Sequence, residues 1–403
     1  MATLNTATDY DAVCYFMSSY ILSCPFQDYL HSLYPTCRLG KDDALSSAIT
    51  TASFATFARR TGRRAYMDRA ERNYGLALAR INAALTDPAT AVLDQTLASI
   101  LLLATFEATI FPGARSPEEW TAHLLGATRL LQLRGLDQFQ YETGRHLHNH
   151  ITNNICASCM QRMVDLPAEF QAWCDKAGPF IDPKYHLREF STILQKAVSF
   201  KARLWARLEK DRAVLYDLFY EAVALEQEAS ALMKDDNAET AYTIQPKEST
   251  PPLAYKDIAH HHKAPRAAKH QNTLRMVRLF MLEVMSAGAS IATKEMYSQP
   301  DTIRYFESVK ENAQRLSAEI ATEVLGCVPD FLEPTSTFAN PKFCPVARTL
   351  VWPLSVVYKN SICPLEARKY AKAMLDDLVK ELNTLQLVDA GKMITKPGTM
   401  DDW

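Results

Sequence analysis

Glycine is scarce in this chain, 12 of 403 residues, and the loops that depend on it are missing. No GxxxxGK[ST], GxGxxG or GxSxG pattern occurs, so the sequence encodes no phosphate-cradling loop, dinucleotide fingerprint or nucleophile elbow. Excess positive charge is lacking too. Lys and Arg number 44 against 46 Asp and Glu, a net charge of −2, which excludes the broad basic surface of a typical nucleic-acid binder. Long apolar runs are absent: the most apolar stretch, Gln95 to Phe106, is well short of the roughly 20 residues a membrane span needs. The opening MATLNTATDYDAV has neither a basic start nor an apolar core, so no secretory signal is expected. The nine cysteines are scattered and odd in number, as suits reduced thiols. These absences together predict a soluble, intracellular protein with no membrane association.

What is present is helical periodicity. Alternating strand patterns are hard to find, whereas apolar residues recur at steps of three and four along most of the chain. Ala44 to Ala58 repeats Ala, Ile and Phe at helical intervals. Arg69 to Leu85 carries Tyr74, Leu78, Ile81 and Leu85, and ends at Asp87-Pro88. Ala91 to Phe111 is apolar nearly all round, which predicts a buried central helix. From Ser116 to Gly135 the signals are complete: Ser116 as cap, Pro117 in the first turn, Glu119 three residues after the cap, Arg134 in the last turn and Gly135 at the stop. Further helices are expected at 138–163, 187–209, 211–233, 268–288, 301–325 and 364–386. The fold class is therefore all-α, a multi-helix arrangement of antiparallel helix pairs. One compound domain over 10–390 is expected, flanked by tails at 1–9 and 391–403. A long polar loop interrupts it at 235–262, where Pro246, Pro251 and Pro252 fall.

Residues able to carry chemistry are few. Cys156 and Cys159 form a CxxC without the second ligand pair of a zinc site or a βαβ redox setting. Two buried thiols on a helix are the simpler reading. His146, His148 and His150 form HLHNH; the first and last share a helix face and could hold a metal, but no HExxH-like acid lies between them and an exposed polar face accounts for them better. His260, His261 and His262 stand in the expected loop, where a short His tract binds metal weakly; a solvated loop is preferred, and no metal or cofactor is assigned. One basic cluster holds Arg59, Arg60, Arg63, Arg64, Arg69 and Arg72. A second holds Lys256, Lys263, Arg266, Lys269, Arg275 and Arg278. Each could touch phosphate, but neither interleaves aromatics or carries a DNA-reading motif, so a solvated helix face is the reading for both. Within the second cluster, Lys263, Arg266 and Lys269 are candidates for localisation or phosphate contacts.

The run LLLATFEATIF (101–111) followed by EEWTAHLLGATRLLQLRG (118–135) resembles the regulatory domain of fungal-specific transcription factors, the middle homology region of zinc-cluster regulators. The positions that carry the resemblance are Phe106, Glu107, Trp120, His123, Gly126, Ala127, Leu130, Leu131, Arg134 and Gly135. The opening DAVCYFMSSYILSCPF, and later EVLGCVPDFL and LVWPLSVVY, are similar to other parts of that domain. The resemblance implies a non-enzymatic transcription regulator of a fungal secondary-metabolic gene cluster, nuclear with a cytoplasmic pool. Of the motif residues, Glu107, Trp120, His123, Gly126, Arg134 and Gly135 are read as structural, with Arg134 capping carbonyls or pairing with an acid such as Glu107. The six-cysteine cluster of the family is expected ahead of the domain and is not found before Tyr10. Similarity to trichothecene-type cluster regulators lacking that cluster implies action through a protein partner (a DNA-binding regulator or the transcription machinery) or a homodimer. Contact with DNA would then be indirect or weak, and a small-molecule effector is open. The alternative is a helical enzyme or ligand-binding protein acting on a small apolar metabolite.

Overall fold

The computed structural model describes residues 6–18, 27–34, 43–110, 117–181, 187–208, 210–211, 213–234, 242–244, 251–262, 265–295, 300–332 and 349–382. It is all-α apart from one short antiparallel pair of strands among these residues. The chain divides into two compact units: unit 1 comprises 1–158 and 167–183, and unit 2 comprises 159–166 and 184–403.

Unit 1 holds α1 (Thr6–Phe16), α2 (Gln27–Leu33), α3 (Ala44–Thr61), α4 (Arg64–Thr86), the short α5 (Pro88–Ala91), α6 (Asp94–Ile110), α7 (Pro117–Arg134), most of α8 (Glu142–Arg162) and α9 (Ala168–Ala177). Helix α3 begins where Asp43 accepts a hydrogen bond from the Ser46 backbone N–H at 2.7 Å, and ends at Gly62, whose φ of 67° no β-carbon residue adopts cheaply. It packs against α1, α4 and α6. Ala12, Phe54, Ala55, Ala70 and Phe106 are buried together there, with Phe57, Tyr66, Met67 and Tyr74 around them. The near-uniform apolarity of α6 is explained by its burial, since Leu97, Ala98, Leu101, Leu102 and Leu103 are all inaccessible. Helix α7 stops at Gly135, whose φ is 71°, and a 3₁₀ turn over Leu136–Gln140 leads to α8. Ser116, expected as the cap of α7, lies outside the described residues.

Unit 2 holds α10 (Leu187–Leu208), α11 (Val214–Asp217), α12 (Phe219–Lys234), β1 (Tyr242–Ile244), β2 (His260–His262), α13 (Pro265–Glu295), α14 (Pro300–Gly326), α15 (Val328–Leu332), α16 (Val351–Lys359) and α17 (Leu365–Leu382). The single helix expected over 211–233 is two, because Leu218 takes φ −92° and ψ 1°, outside the helical well. Helix α13 is the spine of the unit and packs on α10, α11, α12, α14 and α16. By length and composition, residues 267–294 of it could cross a membrane. It behaves as a core helix instead, because it buries its own charged groups with partners. Arg278 pairs with Glu226 at 2.7 Å, and Glu283 accepts from the backbone N–H and hydroxyl of Ser361, each at 2.7 Å.

The stretch read as a polar loop holds the two strands. β1 and β2 pair antiparallel, with Tyr242 opposite His262, Thr243 opposite His261 and Ile244 opposite His260. Local polarity misled here: the triple histidine looks solvated in sequence, but tertiary packing covers two of its three rings.

Candidate functional site

Side chains alternate along a strand, so β2 sends His260 and His262 to one side and His261 to the other. His260 and His262 are fully buried, while the side chain of His261 is 53 % exposed. The reading of this tract as a solvated loop is thereby corrected. Helix α14 ends at Gly326, and the next residue, Cys327, is buried with its Sγ turned to both rings. Sγ lies 3.6 Å from His260 Nδ1 and 4.0 Å from His262 Nε2. All three ligand atoms lie within 4.8 Å of one another.

The surroundings fix each group. His262 Nδ1 is 2.7 Å from Asp330 Oδ2, and the same oxygen accepts the His262 backbone N–H at 2.7 Å. With that carboxylate on Nδ1, the lone pair or second proton of His262 is directed from Nε2 towards the thiol. His260 Nε2 makes no hydrogen bond despite complete burial, and Glu323 Oε2 stands 3.7 Å away. Tyr242 stacks on His260 with ring centroids 4.0 Å apart and donates its hydroxyl to Glu323. Its phenol is raised by burial and then by that carboxylate. From α13, Arg275 donates to Cys327 Sγ at 3.3 Å, to Glu323 at 3.0 Å and to Asn272 at 2.9 Å.

Two opposing effects act on the thiol. Burial pushes Cys327 up, but Arg275 and the hydrogen bonds from His260 and His262 outweigh it and bring the thiol down to about 6. For His262, burial favours the neutral ring, and the bonds to Asp330 and Cys327 overcome it, raising the ring to about 9. Both shifts run towards a thiolate–imidazolium pair, with an oriented carboxylate behind the imidazole. Such a set can ligate a soft cation, or act as a nucleophile and base where a substrate can reach it.

Gly326 has a steric part in this. A Cβ built there would stand 2.8 Å from His260 Nε2 and 2.9 Å from Cε1, so only glycine lets that ring lie against the helix end. The sequence offered one usable signal for the site, the period-two spacing of His260 and His262. Cys327, Asp330, Glu323, Arg275 and Tyr242 join them only through tertiary packing.

The residues expected from sequence to matter are distributed elsewhere. Glu107 is buried in α6 and accepts from the Tyr74 hydroxyl. Arg134 pairs with Asp94, at the other end of α6 from Glu107. Gly126 lies on an exposed part of α7, and Gly135 supplies the positive φ at its end. The side chains of Trp120 and His123 lie outside the described residues, as do Lys263 and the side chain of Arg266; Lys269 is half-buried. Arg275 and Arg278, read as a solvated face, are buried ion-paired groups.

The HLHNH reading also changes. His148 and His150 are buried rather than exposed. His150 Nδ1 is 2.7 Å from the Tyr29 hydroxyl, and His148 sits against Phe139 and Trp173. Burial alone pushes His148 down to about 4. Cys156 and Cys159 are both buried.

In comparison with known proteins, residues 11–163 match the family described as the fungal specific transcription factor domain. The matched segment runs from α1 to the end of α8 and contains the 101–135 motif. It supports a transcription regulator, suggests a non-enzymatic one, and suggests the nucleus as its location. No curated protein and no solved structure matches this chain.

Proposed function

We propose that this chain regulates transcription of a fungal secondary-metabolic gene cluster and does so through a protein partner. The observation that carries the reading is the match of residues 11–163 to a fungal transcription factor domain. Charge supports the partner: at a net charge of −2 the chain has little sequence-independent attraction for DNA. Several of its exposed basic residues are countered, as where Arg64 pairs with Asp68 at 2.8 Å and faces Glu71 at 3.5 Å. A DNA-binding regulator, the transcription machinery or a second copy of the chain would then bring the domain to promoters, and a small effector would adjust it.

Deleting the gene and profiling transcripts together with metabolites tests this. The expected result is collapse of a co-located set of metabolic transcripts. Persistence of those transcripts with accumulation of a single intermediate would instead support a helical enzyme acting on that intermediate. Localisation is tested separately: neutralising Lys263, Arg266 and Lys269 should reduce nuclear import, and unchanged import removes those residues from that role.

A further inference from the structure

Two imidazoles and one thiol, all buried, converge within 4.8 Å, and geometry decides what suits them. For a tetrahedral zinc with Zn–S about 2.3 Å and Zn–N about 2.0–2.1 Å, ligand sulfur and nitrogen stand roughly 3.6 Å apart. The two S···N distances here are 3.6 and 4.0 Å. The second closes by a few tenths of an ångström, and the two ring nitrogens, within 4.8 Å of each other, come together to roughly 3.3 Å on the metal.

From this convergence we infer that His260, His262 and Cys327 form a zinc(II) site, ligated through His260 Nδ1, His262 Nε2 and Cys327 Sγ, with a fourth position for water or an exogenous ligand. Two further observations support it. Metal-bound histidines commonly give their other ring nitrogen to a carboxylate; here Asp330 holds the far nitrogen of His262 at 2.7 Å and Glu323 stands 3.7 Å from that of His260. His260 Nε2 is buried without a hydrogen bond, and a bond from Nδ1 to metal would fix the tautomer that makes Nε2 a donor to Glu323.

Two imidazoles with one thiolate suit zinc or copper better than magnesium or calcium, which prefer oxygen. The site would fasten β2 to the chain just past the end of α14, joining segments some 65 residues apart in sequence. On zinc binding, the proton shared by Cys327 and His262 leaves to solvent, while the Nδ1 proton of His262 stays with Asp330.

The test uses the full chain, stripped with a chelator, reloaded with zinc sulfate or cobalt(II) chloride, and desalted. One zinc per chain is expected to remain, and the cobalt form should show a thiolate-to-cobalt charge-transfer band. Cys327→Ser should lose that band and lower the zinc affinity at least tenfold, while Cys363→Ser, at a buried thiol outside the cluster, should keep both. No retained zinc, no charge-transfer band in the unmodified chain, or equal retention by Cys327→Ser overturns the inference, and retention of copper(I) but not zinc overturns the choice of metal. The cobalt band is read on the unmodified chain, so the test holds even where a variant fails to fold. The readout is metal content and spectrum, so its result is independent of whether the chain regulates transcription.

Discussion

Gly326 and His260 show how tightly one residue can constrain another. A methyl group at Gly326 would meet the His260 ring at 2.8 Å, and both the helix end and the ring are buried. Gly326→Ala is expected to destabilise the fold by about 1–3 kcal/mol, as overpacking does. The denaturation midpoint should fall accordingly; an unchanged midpoint would mean that the ring moves aside freely. His148 poses a different residue-scale problem. Unfolded, it titrates near 6.5; native, burial lowers it to about 4. Between those values the unfolded chain takes up a proton that the native chain refuses, so stability falls as pH drops from about 6.5 towards 4. The effect is on the order of 3 kcal/mol. His148→Leu should lose less stability than the parent over that range in parallel chemical denaturations, whereas equal losses would place the ring in contact with water.

Among the elements, α7 shows what sequence can and cannot convey. Its end was legible because Gly135 has a distinct conformational task, a φ of 71°, and the apolar positions Ala127 and Leu131 are indeed buried. Gly135→Ala should cost about 1–3 kcal/mol, since φ 71° with ψ −170° is a region essentially closed to residues with a β-carbon. Thermal unfolding measures it, and a cost near zero would show that the stop is set by the following turn. The N-cap of α3 offers a second check at this scale. Asp43→Ala removes the bonds to Ser46 N–H and Oγ, at 2.7 and 2.9 Å, and is expected to cost about 1 kcal/mol. Helices were readable in this way because their period is local. The β1–β2 pair was not, since three residues per strand give too short a pattern. The partner of Arg134 also escaped local reading: in sequence Glu107 and Asp94 are equivalent acids, and only the packing of α7 on α6 selects Asp94. The His260–His262–Cys327 cluster was hidden for the same reason, because Cys327 stands 65 residues or more from the two histidines and burial, rather than residue type, makes them a site.

At the scale of the whole molecule, composition and family point the same way. The family match over residues 11–163 supports a transcription regulator, and the near-neutral net charge is what led us to propose that it works through a partner. The separation of chain charge from promoter binding makes the claim directly testable. The chain is fused to an unrelated DNA-binding domain and expressed in a fungal host carrying that domain's operator ahead of a reporter. Reporter transcript is then compared with that from the DNA-binding domain alone at equal nuclear abundance. A reproducible rise or fall of several-fold that requires residues 11–163 is the result expected of a transcription regulator. Reporter output indistinguishable from that of the bare DNA-binding domain would contradict it.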